Sequence, residues 1–182
     1  HIYNISIGSS ASGSSIYIEQ NYISNPSGQA ISIYNQSNNV FILNNYIFGG
    51  GNIFSISSAG YIAVINNVIY GGVGISSGLF QNNIVRTGGL PSSNNTVVQN
   101  NVYDIDMNTV FVGGNSPDGQ WKLKPGSPAI GAGVGGVDCG MFGGESPYVL
   151  SGIPSLPTIY SFEAPLEGGN QLPVKIKVKS NK

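Results

Sequence analysis

The sequence predicts an all-β fold of solenoid type, with one turn of a coil per repeat. Three observations predict it. An apolar–amide–amide–apolar phrase recurs as "FILNNYIFGG" at 41–50, "VINNVIYGG" at 64–72, "FQNNIVRTGG" at 80–89 and "VVQNNVYD" at 97–104. Recurrence at a roughly constant spacing is the mark of repeat architectures. The positions flanking the amides are β-branched or aromatic, as in strands. No stretch shows helical periodicity, and Asn, Ser and Gly at this density suppress helix.

The coils occupy residues 1–115. Aligned on the second amide of each phrase, the anchors are Asn21, Asn45, Asn67, Asn83 and Asn101, at intervals of 24, 22, 16 and 18 residues. Three positions earlier stand Ile18, Ile42, Val64, Phe80 and Val98; one later, Tyr22, Tyr46, Val68, Ile84 and Val102; two later, Ile23, Ile47, Ile69, Val85 and Tyr103. The residue before each anchor is always an amide: Gln20, Asn44, Asn66, Asn82 and Asn100. Like residues then stack coil on coil about 4.8 Å apart. Asn tolerates the left-handed conformation of a sharp bend, and stacked amides bond to one another. The anchors therefore read as a structural ladder that turns each coil. The unequal intervals fit insertions in the loops between strands.

Composition bounds the rest. The 182 residues suit one domain with a small appendage. Charged residues are 8% of the chain, about a third of the usual ~25%, and the net charge is −1, so neither nucleic acid nor an anionic membrane is an expected partner. No apolar run approaches the ~20 residues of a membrane span, so membrane insertion is not expected. Gly, Ser, Asn and Tyr in abundance suit an extracellular or cell-surface protein. The opening "HIYNIS" falls mid-pattern, as expected of a processed or truncated chain. Residues 1–115 hold Arg86 with Glu19, Asp104 and Asp106, whereas all six lysines lie beyond; that shift marks the boundary near 115. The single cysteine, Cys139, reads as a buried, inert thiol or as one available to another chain.

Residues 116–146 read as a C-terminal cap. The last coil of a solenoid exposes core and a sheet edge, and Trp121, the only tryptophan, is the largest plug available. The repeat resembles a right-handed parallel β-helix. Residues 118–144, "DGQWKLKPGSPAIGAGVGGVDCGMFGG", are similar to the closing segment of β-helices in secreted or surface bacterial proteins of Bacteroidetes type. There a Trp precedes "SPAIGAG" and a D-x-G-x-F-G phrase; residues 147–182 look like the tail of that group. Cys139 stands where that group carries an apolar residue, and cysteine packs as a small hydrophobe.

The β-helix fold also hosts polysaccharide lyases and glycosidases, so an enzyme is one class the residues must be weighed against. Glycosidases need clustered carboxylates, but Glu19 lies about four coils, roughly 15–20 Å, from the aspartates. Asp104 and Asp106, two apart, would share a face of a strand; as a Ca²⁺ pair they lack the further oxygens of a six- to eight-ligand site. Arg86 reads as a solvated charge and His1 completes no triad. No cofactor and no other metal site is expected, and the coils argue against an active site of their own.

Alternation turns two columns outward. Four before the anchor come Tyr17, Phe41, Ala63, Leu79 and Val97; two before, Glu19, Leu43, Ile65, Gln81 and Gln99. Tyr17, Phe41, Leu43, Ile65 and Leu79 thus form an apolar face that something should cover: the tail, 147–182, running along the sheet, or a partner. "PVKIKVK" alternates as an edge strand guarded by lysines. Two function classes follow. The residues favour a non-catalytic secreted or cell-surface module with a structural, adhesive or carbohydrate-binding role, its partner a polysaccharide or another surface or secretion protein. The alternative is the C-terminal part of a lyase or glycosidase with its catalytic coils upstream.

Overall fold

The computed structural model describes residues 1–8, 14–34, 38–52, 54–57, 60–75, 77–87, 95–150, 158–164 and 173–179. The chain divides into two units, His1–Tyr148 and Val149–Lys182.

The first unit is a parallel β-solenoid with three walls. One wall stacks β2 (Ile16–Glu19), β5 (Val40–Leu43), β8 (Ile62–Ile65), β10 (Ser77–Gln81) and β12 (Asn95–Gln99). The second stacks β3 (Tyr22–Asn25), β6 (Tyr46–Asn52), β9 (Val68–Gly72) and β11 (Ile84–Val85). The third holds β1 (Ile5–Ile7), β4 (Ile31–Tyr34) and β7 (Phe54–Ser57). The pairing register joins like columns: Ile18 to Ile42, Val64, Phe80 and Val98 on the first wall, and Ile23 to Ile47, Ile69 and Val85 on the second. These two columns meet inside with Ile31 and Ile33 of the third wall to form the main core.

Part of the difference between the intervals comes from a strand rather than from a loop. The 24- and 22-residue intervals each contain a third-wall strand, β4 and β7. The 16-residue interval instead turns from β9 to β10 through Val73 and Ile75, both buried in the core. Among the described residues no third-wall strand lies between β9 and β10. Gly78 in β10 permits the tighter path: its φ is +126°, and a Cβ would sit 2.1 Å from the Ile62 carbonyl oxygen.

After β12 the chain makes short 3-10 turns at Met107–Thr109, Gly119–Trp121 and Val134–Gly136. Rather than closing over the last coil, residues 105–148 lie along the flank of the second wall. Val110, Phe111, Ala129 and Cys139 bury Tyr46, Val68 and Ile84 in a second core.

In the second unit, β13 (Thr158–Glu163) pairs antiparallel with β14 (Lys175–Lys179). A bulge between Ile159 and Ser161 lets Ile159 pair with Val178 and Phe162 with Ile176. All four residues then share one exposed face. The expected lysine-guarded strand is thus one edge of a two-stranded sheet. Tail residues 151–157, 165–172 and 180–182 lie outside the described residues.

Candidate functional site

The paired amides divide their work. The first of each pair takes the left-handed bend: φ is 55° at Gln20, 53° at Asn44, 58° at Asn66, 52° at Asn82 and 54° at Asn100. The second points inward and forms the ladder. Asn45 Oδ1 accepts from the Asn21 N–H at 3.0 Å, Asn67 Oδ1 from Asn45 at 2.8 Å, Asn83 Oδ1 from Asn67 at 2.9 Å and Asn101 Oδ1 from Asn83 at 2.8 Å. Each Nδ2 of Asn45, Asn67, Asn83 and Asn101 donates to a carbonyl of the preceding coil, from Ile18, Ile42, Val64 and Phe80 respectively. Asn45, Asn67 and Asn83 are fully buried, and these bonds let amides sit in a core without desolvation loss. The sequence reading merged bend and ladder in the anchor, whereas the bend belongs to its neighbour.

The bend column also holds the flanking strap. Asn44 Nδ2 donates to the Asp138 carbonyl at 3.1 Å, Asn82 Nδ2 to the Ala132 carbonyl at 2.7 Å, and Asn66 Oδ1 accepts from the Val134 N–H at 2.9 Å. Trp121 lies against Tyr22 and Tyr46, ring centroids 4.8 Å away in each case, and edge-on to Phe111 at 5.6 Å. It therefore roofs the first two coils of the second wall. Burial pushes the Tyr46 phenol well above its usual range, with Tyr22 and Tyr70 adding to the effect. Cys139 is buried under the strap and donates its thiol to the Asn82 carbonyl at 3.1 Å. Burial, with a smaller contribution from Asp138, pushes this thiol up to about 12, so it is not a nucleophile at neutral pH.

Sequence reasoning missed that the column one after the anchor faces outward and needs this strap. The signal was present: two adjacent apolar columns on a strand cannot both point inward.

Glu19, Asp104 and Asp106 do not converge. Glu19 ends β2, the first strand of its wall, and Asp104 follows β12, the last. Asp104 and Asp106 are not on a strand. Asp104 has φ of +57°, and Asp106 caps the 3-10 turn, its Oδ1 accepting from the Asn108 N–H at 3.0 Å. Among the described residues no three of His, Cys, Asp or Glu come together to hold a metal. Arg86 stands exposed with its guanidinium 4.1 Å over the Tyr70 ring.

The outward face of the first wall is as aligned. Tyr17, Phe41, Ala63, Leu79 and Val97 follow one another in register, as do Leu43 and Ile65. Tyr17 is 60% exposed and stacks on Phe41 at 4.8 Å, so one ring face of Tyr17 is taken and the other is not engaged by Phe41. Phe41, Leu43, Ile65 and Leu79 are half-buried, and the short Ala63 is buried between its longer neighbours.

At one side of this stripe lies a recess of about 280 Å³ lined by Glu19, Gln20, Leu43, Asn44, Gly144, Glu145 and Ser146. Leu43 belongs to both. Two of its lining residues pack closely: a Cβ on Gly144, whose φ is +84°, would sit 3.1 Å from Asn44 Oδ1. An apolar stripe beside hydroxyl, amide and carboxylate groups suits a ligand with both apolar and hydroxyl-bearing faces.

Among the described residues no helix is long and apolar enough to cross a membrane. Compared with protein-family models, with curated proteins and with solved structures, the chain matches none.

Proposed function

We propose that the chain is a non-catalytic β-solenoid module of a secreted or cell-surface protein, with an adhesive role exercised by binding polysaccharide. The observation that carries this reading is the meeting of the Tyr17–Phe41–Leu43 stripe with the Glu19/Glu145 recess at Leu43. Sugar rings present C–H faces to aromatic and aliphatic side chains and hydroxyls to carboxylates and amides. The buried amides support the same reading, because the ladder engages them within the fold.

A glycan array run beside a polysaccharide-degradation assay tests the proposal. Binding without turnover is expected, weakened at least tenfold by Tyr17→Ala with an unchanged melting temperature. Turnover by these 182 residues would replace the proposal with a lyase or glycosidase, and no binding to any glycan would end it.

A further inference from the structure

β12 is the terminal strand of the five-stranded wall, paired with β10 on one side. Among the described residues of the first unit, the strap runs along the flank and leaves this end uncovered. Val98 belongs to the inward column in which Ile42, Val64 and Phe80 are fully buried, yet it is 36% exposed. Val102 is 40% exposed, although Val68 and Ile84 of its column are fully buried. At inner rungs the N–H groups of both amides donate to the next coil, as Asn82 does to the Gln99 carbonyl and Asn83 to Asn101 Oδ1. At Asn100 and Asn101 the ladder has no next rung among the described residues.

An open parallel edge normally carries a lysine, a proline, a bulge or an inward charge to prevent strand addition. β12, "NTVVQ", carries none of these. By contrast, β14 carries three lysines. The β12 sequence is also self-complementary about its centre. Placed antiparallel to itself, it sets Val97 opposite Val97, Thr96 opposite Val98, and amide residues opposite amide residues at both ends. No charge meets a like charge, and the two interiors join on the same side of one continuous sheet.

We propose that this end is a homodimer interface, formed by antiparallel pairing of β12 with β12 of a second copy. The pairing is isologous and closes, which is the commonest symmetry of soluble oligomers. It covers Val98, the inward residue of β12.

Sedimentation of the full chain from nanomolar to high micromolar concentration reads the interface directly, with a reversible monomer–dimer equilibrium expected. Val97→Lys places two like charges on the two-fold axis, so it should give monomer throughout while leaving the circular dichroism spectrum unchanged and melting as dilute, monomeric wild type does. Val97→Cys should form an intermolecular disulfide with oxidised glutathione at least tenfold faster than Val112→Cys, a comparably exposed control. Paired Cβ atoms across an antiparallel ladder lie about 4.5–5.5 Å apart, close enough to bridge. A wild-type chain monomeric at every concentration, open-ended polymers, or a Val97→Lys variant that still dimerises would each overturn the proposal.

Discussion

Asn66 and Asn67 are neighbours of the same type, and they do opposite things. Asn67 is fully buried, extended inward and bonded to the coils on both sides. Asn66 sits at φ 58° and reaches sideways to the Val134 N–H of the strap. The same split holds at Asn44/Asn45 and Asn82/Asn83. Residue type therefore does not set the role of an amide in this fold. The half-turn of the backbone between them does, by pointing one side chain along the stack and the other across it.

Substitution at the inner column should show the largest effect. Asn67→Leu leaves the Asn45 N–H and the Ile42 carbonyl without their side-chain partner inside the core. A cost of about 3–5 kcal/mol is expected from two or more unsatisfied buried groups, measured by urea unfolding. A loss below about 1 kcal/mol would mean the ladder is dispensable.

The bend column should respond to backbone conformation instead. Asn66→Ala places a non-glycine, non-Asn residue in the left-handed region, at about 1–2 kcal/mol, and removes the bond to Val134. Asn66→Gly removes that bond alone and should cost about 1 kcal/mol. If the glycine variant were as destabilised as the alanine one, the bend would not be what Asn66 supplies.

Alkaline titration tests the strap side of the comparison. The Cys139 thiol is raised in the folded state from near 9 to about 12, so the folded chain retains its proton after the unfolded chain has lost it. Its contribution is complete below pH 9 and declines as pH rises toward 12, by about 1 kcal/mol at pH 10. Cys139→Val should flatten that part of the stability profile, and the wild-type thiol should resist aromatic disulfide reagents at pH 8. Rapid labelling of the native protein would show the strap to be open.

The smallest effect belongs to Asp106. Replacing this cap with alanine should cost about 0.5–1 kcal/mol and leave the melting temperature as insensitive to added Ca²⁺ as before. A Ca²⁺-dependent melt in the wild type, lost in Asp106→Ala, would restore the aspartates as a cation site.

Much of this was legible beforehand because a solenoid repeats its local rules. The column Ile18, Ile42, Val64, Phe80, Val98 could be aligned from the sequence, and the strands pair in that register. Repetition averages out the ambiguity of any single four-residue strand. The outward stripe from Tyr17 to Leu79 followed from alternation alone. The Glu19/Glu145 recess could not be foreseen, because its walls come from residues more than a hundred positions apart and no periodicity links them. Trp121 shows the same limit: its size announces a packing role, but nothing local chooses between the open end and the flank.

By itself, then, the sequence determined the strand type, the coil spacing and the inward column three before each anchor, since these depend on side-chain alternation and on amides recurring at each corner. Tertiary structure alone decided which amide bends and which one stacks. It also laid residues 105–148 against Tyr22, Tyr46, Val68 and Ile84 and left β12 at the end of the stack. Each of these outcomes depends on where a non-repeating segment finds apolar surface to bury, and burial is a property of the assembled coils rather than of any stretch of chain.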